Sequence, residues 1–207
     1  MYGAKGLEII KSQTNKQKLQ EIKNIIISES IIDTLSLVEI KKYDLNDTLL
    51  CATNGQVTKS HKDLFKYFND NSKAKITLAF DNDSKGNDFL EKTKTIFNKL
   101  DIQIDKPILK DFNDDLIVMK ILNLNNNFNL DDINDKFKQF NKKIQYMLDK
   151  KDIIMNDSKN QLLKDIKNDY SILKHITPKL HYYINTNELF NKYSKIIENS
   201  ISNNKTY

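Results

Sequence analysis

The first half of the chain alternates short apolar runs with amphipathic stretches. Two weaker runs, residues 7–10 and 102–104, predict short strands, and Pro107 places the second near a sheet edge. Three stronger runs predict the main strands: residues 25–28, 49–53 and 76–80. The first is continuous rather than alternating, as expected of a strand that is buried on both faces. The alternation of strands and helices predicts an α/β fold with a mostly parallel sheet flanked by helices.

Apolar residues spaced three and four apart predict a helix after each main strand. The first is capped by Ser28 or Ser30, and Asn54-Gly55 ends the strand that precedes the second. The second covers about residues 58–68 and buries Leu64, Phe65 and Phe68, and the third follows Gly86. The inward face of the first helix is expected to comprise Ile31, Ile32, Leu35 and Val38.

Beyond an Asn-rich stretch at residues 123–129, the apolar period becomes that of long helices. Two apolar seams and a third helix over about residues 187–201 are predicted, with a break at Thr177-Pro178. The inward residues are Ile133, Phe137, Phe140, Ile144 and Met147, then Leu162, Ile166, Tyr170 and Leu173, then Leu189, Phe190, Tyr193 and Ile197. We predict an α/β domain over residues 1–122 and an all-helical extension over residues 130–207, forming a hairpin or a three-helix unit.

The charge of the chain is compatible with nucleic-acid binding. The net charge is +5, the isoelectric point is about 9.0, and all 33 basic residues are lysines. Lysine contacts phosphate as a point charge and lacks the fork with which arginine reads bases, so we expect salt-sensitive contact with the backbone of DNA or RNA that tolerates different sequences. An AT-rich genome produces the same enrichment, so composition favours nucleic acid only modestly.

Several classes of site are disfavoured. Cys51 is alone in an apolar run, and one cysteine with three scattered histidines matches no standard zinc site. No segment has the length of a membrane span or the form of a signal peptide, which leads us to expect a cytoplasmic protein with no membrane contact.

Carboxylates follow the ends of two predicted strands. Glu29 comes directly after residues 25–28, and Asp81 and Asp83 come directly after residues 76–80. The carboxyl ends of parallel strands meet at one edge of a sheet, where such folds bind ligands. Acids gathered there repel one another unless a cation joins them, and a hard divalent ion with oxygen ligands is the usual solution. The pattern predicts divalent-metal phosphoryl chemistry, against the alternatives of a helix-capping Glu29 and an ordinary Asp-rich turn.

These motifs resemble those of the Toprim domain, which is shared by bacterial primases, topoisomerases, nucleases and recombination factors. Glu29 matches the first motif, and Asp81, Asp83 and Gly86 match the second. The segments ESIIDTLSL, DNDSKG and KDFNDDL, with the lead-in GAKGL, resemble more specifically the Toprim module of plasmid- and phage-borne primase and mobilisation proteins. The resemblance covers roughly residues 1–116.

The resemblance implies roles for the acidic residues. Glu29 acts as a general acid/base or metal ligand, and Asp81 and Asp83 share Mg²⁺ or Mn²⁺. Asp111 is a further candidate ligand, the alternative being an exposed charge paired with Lys110. Asp33, Gly86 and Asp114 support the site.

Five residues are candidates for contact with phosphate. A solvated lysine on the surface is the ordinary alternative for the basic ones. The candidates are Lys5, Asn54, Gly55, Lys85 and Lys110.

Three functions follow. The first is Mg²⁺-dependent nucleotidyl or phosphoryl transfer on DNA or RNA, primase-like or associated with mobilisation in a mobile genetic element. The second is a Toprim metal-dependent nuclease. The third is a non-catalytic nucleic-acid-binding module whose helical extension recruits a partner protein, motivated by the position of Met1 directly before the lead-in. A topoisomerase is disfavoured, because Tyr182, Tyr183 and Tyr193 lack a recognisable context.

Overall fold

The computed structural model describes residues 6–10, 18–150 and 156–202. The chain divides into two compact units, Met1–Leu116 and Ile117–Tyr207. The domain boundaries predicted from sequence, 1–122 and 130–207, stay a prediction.

The first unit contains a five-stranded sheet with the order β1-β3-β2-β4-β5. The antiparallel edge strand β1 pairs with β3, and the remaining pairs are parallel. The strands are β1 (Glu8–Ile10), β2 (Asn24–Ser28), β3 (Thr48–Ala52), β4 (Lys75–Ala79) and β5 (Ile102–Ile104). The predicted α/β fold with a mostly parallel sheet is confirmed, and β5 lies at an edge as Pro107 indicated.

The register of the central strands places their carboxyl ends level with one another. Ser28 at the end of β2 lies opposite Ala52 of β3 and Ala79 of β4. The apolar side chains of β2 are fully buried, because helices cover both faces of a parallel sheet. The residues that follow β2 and β4, beginning with Glu29 and Phe80, therefore leave the sheet side by side.

Among the described residues of the first unit, three α-helices follow the strands β2, β3 and β4 in turn. They are α1 (Ile31–Lys41), α2 (Lys59–Asn71) and α3 (Ser84–Lys94), and α4 (Phe112–Ile121) begins in this unit. Phe65 and Phe68 of α2 are buried as predicted, and Leu64 is partly buried against the core. The third helix was expected to start after Gly86, but it begins earlier because the Asp83 side chain caps it.

The inward face of α1 differs from the prediction. Ile32 and Leu35 are 61% and 50% exposed. The Thr34 hydroxyl donates to the carbonyl of Ser30 at 2.8 Å and is hydrogen-bonded to the hydroxyl of Ser28, which holds the polar side of the helix against the end of β2. The buried residues of α1 are Asp33, Thr34, Ser36, Leu37 and Ile40. The buried face of α1 therefore combines the apolar Leu37 and Ile40 with polar residues, of which Thr34 is hydrogen-bonded to β2.

The second unit contains three long helices: α5 (Leu130–Lys150), α6 (Asn156–Leu180) and α7 (Asn187–Ser202). Each contacts the other two, and the predicted seams are their buried faces, with Ile133, Ile144, Ile166 and Leu173 fully buried. The predicted break at Thr177-Pro178 is wrong, since α6 continues to Leu180. Pro178 lies in the last turn of α6, where the loss of one backbone hydrogen bond interrupts little of the helix. In the described part of the chain, no helix combines the length and apolar character needed to cross a membrane.

A buried polar cluster joins the three helices of the second unit. The Tyr193 hydroxyl of α7 donates to the carbonyl of Phe140 in α5 at 2.9 Å and lies 3.2 Å from Oδ2 of Asp169 in α6. Lys143 of α5 pairs with the same carboxylate at 2.8 Å. Burial raises the pKa of Tyr193, so its hydroxyl remains a donor.

The start of α3 depends on the missing side chain of Gly86. A Cβ at this position would lie 2.1 Å from the backbone oxygen of Asp81, far inside contact distance. We expect Gly86→Ala to lower the free energy of unfolding by about 3 kcal/mol, because a rigid backbone group must move. Gly6→Ala is the matched control, since among the described residues nothing lies within 4 Å of its Cβ. Denaturant unfolding measures both, and equal stability of the two variants would contradict this packing.

The Tyr193 cluster predicts a specific cost in the second unit. Tyr193→Phe leaves the buried Asp169 carboxylate and the Phe140 carbonyl without this donor, which we expect to cost about 1–3 kcal/mol. Tyr182→Phe removes the same hydroxyl from a side chain that is 84% exposed and should change stability little. Thermal unfolding of both variants tests the difference, and a neutral Tyr193→Phe would show that the cluster is not stabilising.

Candidate functional site

Glu29 begins the candidate site directly after the central strand β2. The residue is only 8% exposed, and its Oε1 accepts a hydrogen bond from Nζ of Lys85 at 2.8 Å. The other oxygen, Oε2, is buried and has no hydrogen-bond partner among the residues that the structure describes. An unpaired buried carboxylate oxygen is costly and points to a missing positive partner or donor.

Asp81 follows β4 and lies where the acidic residues converge. Its Oδ1 is buried and, within the described ranges, lacks a hydrogen-bond partner. Burial raises the pKa of Asp81 to about 7, and the negative charges of Asp33, Glu29, Asp111 and Asp83 add to the rise. The structure thus brings these five predicted carboxylates into one electrostatic neighbourhood.

Asp83 is held by the helix that it starts. It is the N-cap of α3, and its Oδ1 accepts the backbone N–H of Gly86 at 2.8 Å. An Asp-rich turn is the alternative that the sequence offers for Asp83; the structure instead gives it a helix-capping role, which occupies one of its two carboxylate oxygens.

Asp33 and Asp111 bring the start of α4 to the same edge of the sheet. Oδ1 of Asp33 accepts the N–H of Asn113 at 3.4 Å, and Oδ1 of Asp111 accepts the N–H of Asp114 at 2.7 Å. Burial raises the pKa of both carboxyl groups, and neighbouring acids add to the effect. The segment is tied to the end of β4 by the N–H of Asn82, which donates to the Lys110 carbonyl at 2.7 Å.

Asp115 was not among the site residues predicted from sequence. Its two oxygens accept the N–H groups of Ile108 and Leu109, each at 2.8 Å, and the residue is 3% exposed. Burial raises its pKa to about 6. These bonds fix the loop before Asp111. The available signal was its spacing of three residues from Phe112 and Val118, which places it on the buried face of α4.

The candidate phosphate contacts have different surroundings. Gly55 has φ +73° and Asn54 φ +54°, and the Gly55 N–H donates to the carbonyl of Glu29 at 3.1 Å, so that N–H is already committed. A Cβ on Gly55 would lie 3.4 Å from Nζ of Lys85, which places this turn beside the ion pair. Lys110 is exposed, and Lys5 lies outside the described residues.

The carboxylates are oxygen donors of the kind that a hard divalent ion prefers, but several already make hydrogen bonds or an ion pair within the protein. Within the described residues, no three histidine, cysteine or acidic side chains are arranged as a ready metal site. Glu29 faces Lys85, Asp83 faces Gly86, and Asp111 faces Asp114. The donor set is entirely carboxylate oxygen, and two of its buried oxygens have no hydrogen-bond partner among the described residues. Burial and neighbouring negative charge raise the pKa of Asp81. These residues therefore fit Mg²⁺ or Mn²⁺.

Comparison with known proteins identifies the same region. Residues 26–116 match the Toprim-like family, and the match supports a Toprim domain over these residues, which are less than half of the chain. Toprim domains are generally associated with nucleic acid and bind Mg²⁺ through acidic residues. No curated protein and no solved structure matches the chain.

The raised pKa of Asp81 predicts a pH-dependent stability. Folding raises this pKa from about 3.8 to about 7, so the unfolded chain loses the proton first and stability falls as pH rises between these values. The loss is on the order of 2–4 kcal/mol in metal-free protein. We expect unfolding temperatures measured without divalent ions to be lower at pH 8 than at pH 5, with a smaller difference in Asp81→Asn. An unchanged pH dependence in that variant would contradict the assignment.

Proposed function

We propose that the first unit acts on DNA or RNA by Mg²⁺- or Mn²⁺-dependent nucleotidyl or phosphoryl transfer. A primase-like or mobilisation-associated role in a mobile genetic element agrees best with the segments around Glu29, Asp81 and Lys110. The observation that carries the proposal is the environment of Asp81. Four other carboxylates act on Asp81, a partly buried acid whose Oδ1 has no hydrogen-bond partner among the described residues, at the carboxyl edge of the sheet, where α/β folds bind ligands.

The acidic residues would have two roles, metal binding and proton transfer. Asp81, Asp83 and Asp111 would hold the ion, and Glu29 would complete its ligands or move a proton. A bound divalent ion stabilises the negative charge that develops on phosphate oxygens during transfer. The fold holds Glu29 rigidly for this role, because its backbone carbonyl accepts hydrogen bonds from the Thr53 hydroxyl and the Gly55 N–H.

Basic groups around the edge would hold the nucleic-acid backbone. Lys85 lies at the acidic site, and Lys110 precedes Asp111 on the segment that the site shares with α4. Both are lysines with exposed side chains, which suit contact with phosphates and give no base readout. We therefore expect binding that weakens with salt and tolerates different sequences.

A non-catalytic nucleic-acid-binding module is the second candidate function. The observation in its favour is that Glu29, Asp83 and Asp111 are already bound by protein groups, and that the acids among the described residues form no ready metal site. In this function a partner protein, recruited through α5–α7, would carry out the catalysis. A Toprim nuclease would use the same acidic edge as a transferase, so the two are separated by their products rather than by this site.

Metal binding tests the proposal. We expect calorimetric titration with Mn²⁺ or Mg²⁺ to show binding that Asp81→Asn weakens at least tenfold, because it removes a central negative ligand. Asp88→Asn is the matched control, since Asp88 lies on α3 in an exposed pair with Lys92. Equal binding by wild type and Asp81→Asn would refute the assigned site.

Activity on labelled DNA and RNA strands then separates the functions. Incubation with and without nucleotides distinguishes strand extension from strand cleavage. Whichever activity the wild type shows, the double variant Asp81→Asn, Asp83→Asn should lose it. Metal-dependent strand binding without turnover would favour the non-catalytic module. Full activity in the double variant would overturn the proposal.

A further inference from the structure

Lys85 occupies a position that helix energetics disfavour. It lies in the first turn of α3, where the helix dipole favours acids over cations. Its side chain is 54% exposed, yet its ammonium group turns to the buried carboxylate of Glu29 rather than to water. A local conflict of this kind at a functional edge points to a role beyond helix stability.

The contacts of Lys85 place its charge inside the acidic cluster. Nζ lies 2.8 Å from Oε1 of Glu29 and 5.2 Å from the centre of the Phe89 ring, so the side chain is held on two sides. Lys85 is thus a positive charge bound directly to one candidate metal ligand, on a helix that is capped by another, Asp83.

We propose that Lys85 is an internal counter-ion that a divalent ion must displace from Glu29 when it enters the acidic site. This inference rests on the metal binding of the proposed function and adds a regulation of that same site. The ammonium and the metal both need the Glu29 carboxylate, and their positive charges repel at short range. Lys85 therefore weakens metal binding while it keeps the empty site folded.

The test compares metal affinities by calorimetric titration with Mn²⁺. Lys85→Met should lower the Kd about tenfold, because it removes a competing positive charge from within the site. Lys85→Arg keeps the charge and should stay within about twofold of wild type. Lys92→Met, on the exposed face of the same helix, is the control for removing a lysine charge and should also change little. Equal or weaker binding by Lys85→Met would overturn the proposal.

Unfolding temperatures distinguish displacement of Lys85 by metal from a purely structural role of Lys85. Without metal, Lys85→Met leaves the buried Glu29 carboxylate unpaired, so its unfolding temperature should fall below that of wild type. Saturating Mn²⁺ should raise the unfolding temperature more in this variant than in wild type, since the ion takes the place of the ammonium group. Equal metal-induced shifts would contradict displacement.

The wild-type protein allows a test that needs no variant to fold. Acetylation of lysine amines, followed site by site with mass spectrometry, should become several-fold faster at Lys85 when Mn²⁺ is added, because the released amine no longer pairs with Glu29. Lys92 is the internal reference. An unchanged or slower rate at Lys85 would overturn the inference.

The failure of the proposed function can be distinguished from the failure of this inference. If wild type binds no metal, the proposed function fails. If Asp81→Asn abolishes metal binding but Lys85→Met does not strengthen it, only this inference fails.

Discussion

Repulsion among carboxylates at the carboxyl edge of the sheet is the constraint around which the first unit is arranged. The level ends of β2 and β4 bring Glu29 and Asp81 to one edge, and the segment before α4 adds Asp111. The fold compensates in three ways that use no metal. Lys85 supplies a positive charge to Glu29, backbone N–H groups bind Asp83 and Asp111, and the raised pKa of Asp81 allows it to keep its proton until near neutral pH.

Close backbone packing makes this arrangement possible. Gly86 lets the first turn of α3 lie against the backbone of Asp81, and the turn at Gly55 lies against both the Glu29 carbonyl and the Lys85 ammonium group. Asp115 fixes the loop before Asp111, because its carboxylate accepts the backbone N–H groups of Ile108 and Leu109. Residues that are not themselves candidate metal ligands therefore determine where the candidate ligand carboxylates lie.

The sheet could be predicted from sequence because its central strands are continuous apolar runs, whose burial on both faces needs no knowledge of their neighbours. The acidic edge followed from the same logic, since Glu29 and Asp81 come directly after those runs. The rotation of α1 could not be predicted, because its buried face includes polar residues such as Thr34, whose hydrogen bond to Ser28 of β2 the apolar period does not show. The roles of Asp115 and Lys85 also escaped sequence reasoning, since each depends on partners that the folded chain supplies.

The charge balance of the edge constrains how it could meet a nucleic acid. Five carboxylates share this neighbourhood, and Lys85 is the basic group that the described residues place in direct contact with one of them. A phosphate is repelled by such an edge as it stands, because like charges at short range cost several kcal/mol. One divalent ion adds two positive charges but, by displacing Lys85 from Glu29, also frees an ammonium group for the substrate. When the metal ion replaces the Lys85 ammonium group, the acids therefore remain neutralised. The released ammonium group then provides a mobile positive charge where a phosphate approaches.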